Sequence, residues 1–133
     1  MLGLREPAHY GKEDYASLSL RISKHCEDLG VDYEIFQSNH EGAIVDKIQE
    51  AYFNSVDGIV INPGAYTHTS IALRDALAAV SIPAVEIHIS DVMKREDFRQ
   101  ISFVRDLCFK TISGHGTDGY LEAIDAVYEY CKK

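Results

Sequence analysis

The chain has 133 residues, 46% of them hydrophobic and 26% charged, with no low-complexity tract and no apolar run near the roughly 20 residues needed to span a bilayer. Its 13 Lys+Arg against 21 Asp+Glu leave a formal charge of -8, which repels phosphate backbones and anionic membrane surfaces, so neither nucleic acid nor membrane is an expected partner. Cys26, Cys108 and Cys131 are odd in number and lack C-x-x-C spacing, and no basic-then-apolar leader opens the chain, which predicts reduced thiols in a cytoplasmic protein whose residues 1–133 form one domain.

Met1-Leu-Gly-Leu-Arg-Glu-Pro7 reads as a loop, so no strand precedes the first helix. Residues 13–29 set Leu18, Ile22, Cys26 and Leu29 at helical spacing, with Glu13 and Asp14 at the start and Gly30 just past the end. Val31, Tyr33 and Ile35 then alternate with polar neighbours and predict a strand. Ser38-Asn39-His40-Glu41 supplies capping chemistry for a helix running to about Tyr52. The branched apolar run 57–62 predicts a strand covered on both faces and closed by the Pro63-Gly64 turn.

A helix from about Thr69 to Val80, a strand from Ala84 to Ser90, a strand from Cys108 to Ser113 and a helix from about Tyr120 to Tyr130 complete the chain. Strands separated by single helices imply parallel pairing with right-handed crossovers, hence an α/β three-layer sandwich of the doubly wound kind. Such folds bind ligands beyond the carboxyl ends of their strands, which directs attention to Asn62 and to Glu86, His88 and Ser90.

Glu86 and His88 are two apart on a strand and point to one face, so the carboxylate can orient and charge-stabilise the imidazole as a general acid. A histidine merely satisfied near a strand end fits the same spacing. Asn62-Pro-Gly-Ala-Tyr-Thr-His68-Thr-Ser70 gathers an amide, an imidazole and hydroxyls between a strand end and a helix start, which suits a polar ligand and also suits a capped loop. Arg5 and Tyr10 share a loop flanked by Pro7 and Gly11, either as a guanidinium beside a phenol or as plain surface. Arg95 and Arg99 are four apart, suited to one face of a short helix as ligand-binding cations or as members of a solvated charge run with Asp91 or Glu96. Gly114-His-Gly116-Thr-Asp-Gly119 fits G-x-G-x-x-G, but no strand with an acidic residue about 20 positions on follows it, so it reads as a tight strand-to-helix turn. No H-x-x-x-H or cysteine-rich spacing points to a metal at Glu86, His88 and His68.

Four segments together carry a resemblance: Leu2-Gly-Leu-Arg-Glu-Pro-Ala-His-Tyr-Gly11, Phe36-Gln-Ser-Asn-His-Glu-Gly42, Asn62-Pro-Gly-Ala-Tyr-Thr-His-Thr-Ser-Ile-Ala-Leu-Arg-Asp75 and Ile82-Pro-Ala-Val-Glu-Ile-His-Ile-Ser90. They resemble the type II 3-dehydroquinate dehydratases over nearly the whole chain. The resemblance implies a flavodoxin-like fold, no metal or organic cofactor, and dehydration of 3-dehydroquinate to 3-dehydroshikimate by anti elimination. In that family pattern Tyr10 matches the general base and Arg5 the residue that holds it anionic. His88 matches the general acid and Glu86 its orienting partner. Asn62, His68 and Arg99 match residues that hold the substrate's carboxylate and hydroxyls, and the backbone N–H groups of Ile89 and Ser90 match a carboxylate cradle. Asp75 matches a residue delivered to a neighbouring subunit within trimers stacked into dodecamers, and Arg95 an arginine of a mobile lid.

The chain also departs from that pattern. Relatives carry a strand and an Asn-Gly-Pro-Asn-Leu-Asn turn before the position of Leu2, so the sheet is expected to lack its first strand and activity to suffer, with a catalytically impaired binding or oligomeric homologue as the alternative. Asp91 and Met93 stand where Asn and His are usual, and Gln100-Ile-Ser-Phe-Val-Arg-Asp106 is less hydrophobic than its family counterpart. These changes are expected to flank the site without touching the acid or the base.

Overall fold

The computed structural model describes residues 14–91 and 94–132, so Arg5, Tyr10 and Met93 lie outside the described residues. Helix α1 spans Tyr15–Leu29, α2 Glu41–Phe53, α3 Ile71–Val80 and α4 Asp118–Lys132; strands are β1 Ile59–Ile61, β2 Ala84–His88 and β3 Lys110–Ser113. Among the described residues no helix is long and apolar enough to cross a membrane.

Local chemistry accounts for the helix ends. Asp14 caps α1 by accepting a hydrogen bond from the Ser17 N–H at 2.8 Å, and Gly30 closes it in the left-handed region at φ 74°, where a residue without Cβ is favoured. Ser70 caps α3 through a 2.9 Å bond from the Leu73 N–H to its hydroxyl. At α2 the expected capping group acts differently: His40 occupies the cap without a side-chain bond, and its own N–H donates to Ser38 Oγ at 3.0 Å.

The three strands pair in the order β1-β2-β3, all parallel, with Ile61 opposite Glu86 and His88 opposite Ser113. β2 is central and every one of its residues is buried, as expected for a strand covered on both faces. On one face Ile48 of α2 and Leu73, Ala76 and Leu77 of α3 pack with Ile61, Ala84 and Val104. On the other, Ala123 of α4 packs with Val85, Ile87 and Ile112. α1 lies beside α4, tied by Arg21 Nη1 to Thr117 Oγ1 at 2.9 Å and His25 Nε2 to Asp125 Oδ1 at 2.7 Å. The result is a three-layer α/β sandwich of the flavodoxin-like kind.

One expected strand is absent. Residues 31–35 form no regular element, and Tyr33 is exposed with its hydroxyl donating to Glu27 Oε1 at 3.2 Å. Alternating apolar residues create a face, but a strand exists only against a ladder partner, and none is found for this segment among the described residues. Lys47 of α2 holds the segment instead through an ion pair to Glu34, while its second pair, to Glu50, lies within α2.

The glycine-rich turn after β3 is structural. Gly114 and Gly116 adopt φ of 82° and 62°, and their N–H groups donate to the carbonyls of His88 at 3.3 Å and Ile89 at 3.0 Å, so these donors are used within the fold and not turned toward a phosphate. A Cβ at Gly119 would come within 2.5 Å of Ile87 Cδ1, a fully buried atom of the central strand. The glycine thus lets α4 approach the sheet. Gly119→Ala is expected to lower unfolding stability by about 1–3 kcal/mol through overpacking, read from the midpoint of a urea titration.

Candidate active site

The sheet's parity decides what faces what. Ala84, Glu86 and His88 share one face of β2, toward α2 and α3, while Val85 and Ile87 face α4. At the carboxyl end of that first face the apolar residues give way to a buried polar pair. Glu86 is fully buried and His88 is 5% exposed, with His88 Nε2 hydrogen-bonded to Glu86 Oε2. The two-residue spacing therefore does bring carboxylate and imidazole together.

Glu86 has further partners that sequence reading did not identify. Ser102 Oγ donates to its Oε1 at 2.9 Å, and Arg105 Nη2 donates to its Oε2 at 3.4 Å. Burial, the largest single influence, pushes the Glu86 carboxyl up; the bond to and charge of His88, the Ser102 hydroxyl and the Arg105 charge outweigh it and hold the group below its ordinary value. The carboxylate is thus ionised although it is inside the protein. The 100–106 segment, expected to flank the site, supplies two of the groups that hold the partner of His88. Its polar residues were the available signal, since a buried carboxylate requires donors and the strand itself offers only one.

That segment is pinned at both ends. Arg74 of α3 binds Asp106 through both guanidinium nitrogens and donates to the Phe103 carbonyl at 2.8 Å. Phe103 N–H donates to the Thr67 carbonyl at 3.0 Å, and His68 Nδ1 meets the Ile101 carbonyl at 2.7 Å. His68 is therefore placed as a tie between the β1–α3 turn and this segment. Cys108, just beyond, is pushed up to about 12, first by burial and then by the charges of Glu86 and Asp106, so its thiol stays protonated at neutral pH.

Asn62 follows directly on Ile61, the register partner of Glu86, and so stands at the same end of the sheet. Its amide is oriented from two sides: Nδ2 donates to Tyr120 Oη at 2.7 Å, and Oδ1 accepts from the Gly64 N–H at 3.0 Å. Burial is the main influence pushing the Tyr120 phenol up, so it stays neutral and able to accept. Tyr120 lies 58 residues from Asn62, and no local pattern announced the contact.

Ile89 and Ser90 continue β2 beyond its ladder. Gly116 N–H bonds the Ile89 carbonyl at 3.0 Å, and Ser113 Oγ donates to the Ser90 carbonyl at 3.1 Å. Arg95, not Arg99, reaches Ser90: Arg95 Nη1 lies 3.3 Å from Ser90 Oγ. Arg99 sits on a 3-10 turn, Asp97–Gln100, with its Nε 2.7 Å from Glu96 Oε2, as a charge run would have it. Asp75 is exposed on α3 and is not gathered with the other groups. Among the described residues no three His, Cys, Asp or Glu side chains are grouped so as to hold a metal ion.

A buried carboxylate–imidazole pair, an oriented amide and a serine–arginine contact thus meet at the carboxyl end of a parallel sheet, where α/β folds take their ligands. With Nε2 turned to Glu86, no hydrogen bond to Nδ1 of His88 is found among the described residues, and that nitrogen can exchange a proton with a ligand.

Comparison with known proteins agrees. The family model described as Dehydroquinase class II matches residues 1–128. The chain is 56% identical over 133 residues to 3-dehydroquinate dehydratase of Lachnospira eligens, which spans 99% of this chain and 90% of that protein. It is 53% identical over 126 residues to the protein of the same name from Lachnoclostridium phytofermentans, spanning 95% and 87% of the two chains. Among solved structures, type II dehydroquinase from Butyrivibrio crossotus superposes with a TM-score of 0.94 at 55% identity, over 96% of this chain and 88% of that one. The chain belongs to the class II dehydroquinase family.

Proposed function

We propose that this chain is a hydro-lyase that converts 3-dehydroquinate to 3-dehydroshikimate, a step of the shikimate pathway toward aromatic amino acids, by anti elimination through an enolate. Family membership supports the reaction, and the observation that carries the assignment of roles is the buried, ionised Glu86 on His88 at the sheet's carboxyl end. The alternative of a catalytically impaired homologue is not favoured, because the chain matches the family model over residues 1–128 and a 3-dehydroquinate dehydratase at 56% identity over 90% of that protein.

In this reading Tyr10, as tyrosinate beside Arg5, removes a proton from the carbon next to the ketone. The electrons of that C–H bond pass into the enolate. His88 then gives its proton to the departing C1 hydroxyl as the C–O bond breaks, and the enolate electrons close the new double bond conjugated with the ketone. Water leaves, and the two groups act from opposite faces. Glu86 holds the imidazole in the donating orientation and stabilises its charged form. Asn62, His68 and Arg99 hold the substrate's carboxylate and hydroxyls, and the N–H groups of Ile89 and Ser90 cradle the carboxylate. Asp75, exposed on α3, serves a neighbouring subunit within trimers that stack into dodecamers, in the cytoplasm.

The chemistry draws on side chains of this kind alone, since proton removal next to a ketone needs a strong base and a stabilised enolate. The test is direct: on addition of 3-dehydroquinate, absorbance of the conjugated enone product is expected to grow at a rate proportional to enzyme. A chain that binds the substrate yet produces no enone would remove the assigned activity.

A further inference from the structure

Glu86 Oε2 is shared by two cations or potential cations. The His88 imidazole and the Arg105 guanidinium both bond this one oxygen, the latter at 3.4 Å, while Oε1 is taken by Ser102 Oγ at 2.9 Å. Arg105 is itself aimed by a bond from Nη1 to the Gln100 carbonyl at 3.4 Å and by the Arg74–Asp106 clamp on the adjoining residue. A fully buried carboxylate loses its hydration, so each donor on it decides how firmly it stays charged.

We propose that Arg105 is a positioning residue for the Glu86–His88 pair: its guanidinium, seated on the same oxygen as the imidazole, keeps that carboxylate ionised and in place as the medium turns acidic. The inference rests on the reading of Glu86 and His88 as the acid machinery. Few other groups compete for this role. α2 presents only apolar Ile44, Val45 and Ile48 to this core, and α3 contributes Arg74, already committed to Asp106. Ahead of β3, the Cys108 thiol is neutral.

The sign follows from burial. Without Arg105, desolvation pushes the Glu86 carboxyl upward against fewer opposing groups, so it takes a proton at a higher pH than in the parent protein. The Arg105 side chain is 36% exposed and water screens part of its charge, so the upward shift is modest.

The experiment compares Arg105→Gln and Arg105→Lys with the parent 133-residue chain, using kcat as a function of pH and urea unfolding as a function of pH. In Arg105→Gln the acid limb of kcat is expected to move up by about half to one pH unit, with Arg105→Lys restoring most of it. The stability gap between parent and Arg105→Gln is expected to shrink as pH falls through the acid range, because both then carry a neutral Glu86. The unchanged Arg74–Asp106 pair cancels from that difference. A stability gap that stays constant with pH overturns the proposal and leaves Arg105 a packing residue. A gap that shrinks while the acid limb of kcat stays fixed supports the hold of Arg105 on Glu86 and overturns the catalytic reading of the pair. The two failures are thus separable.

Discussion

Glu86→Ala is expected to destabilise the protein by about 3–5 kcal/mol and to remove most of its activity, because it strands an arginine, a serine hydroxyl and an imidazole that now converge on one buried carboxylate. The side chain is fully buried, so water does not readily replace the lost acceptor. Glu86→Gln separates the two effects. Its shape is retained and Ser102 keeps an acceptor, so the stability loss is smaller, but His88 loses its anionic partner and kcat is expected to fall by about 10²–10⁴-fold, the range for a disabled proton transfer. The pH dependence has a defined direction. Ionised Glu86, held below its ordinary value in the fold, contributes stability that is complete above its unfolded value of about 4.3 and is lost as pH falls through the lower folded value. The gap between parent and Glu86→Gln therefore narrows below about pH 4. Urea titrations between pH 3 and pH 7 check this, and equal stability of Glu86→Ala and the parent at neutral pH would contradict it.

Tyr10→Phe carries the other large effect. A free phenol ionises near pH 10, so a tyrosinate base at neutral pH needs roughly three units, about 4 kcal/mol, of preferential stabilisation by nearby positive charge, for which Arg5 is the proposed source. Removing the hydroxyl while keeping the ring is expected to lower kcat by at least about 10²–10⁴-fold and leave KM nearly unchanged. Arg5→Gln is expected to spare the phenol but raise the pH at which activity appears, since the base then ionises only in more alkaline medium. Steady-state kinetics across pH separate these outcomes. An unaltered kcat in Tyr10→Phe takes Tyr10 out of the role of base.

Features written in short stretches of chain were legible from residue order. Asp14 and Gly30 bound α1 because a capping carboxylate and a glycine able to take positive φ act within one turn of helix. The alternation of short branched runs with helical periods sufficed for a parallel α/β sandwich, since the packing of such units admits few arrangements. Glu86 and His88 were readable as a pair because a strand's period of two places them on one face whatever surrounds them.

What distance in sequence hides, the folded chain alone decided. Residues 31–35 carry a strand's alternation but not its structure, because pairing depends on a partner elsewhere. Ser102 and Arg105 reach Glu86 from 16 and 19 residues away, and Tyr120 reaches Asn62 from 58, along paths set by how the 100–107 segment and α4 pack on the sheet. The choice of Arg95 over Arg99 as neighbour of Ser90 turned likewise on the course of a loop. Periodicity and capping are properties of backbone geometry over a few residues and survive in any context. The proton-holding strength of a buried carboxylate is a sum over donors brought in by the whole chain, and only their assembled positions give it a value.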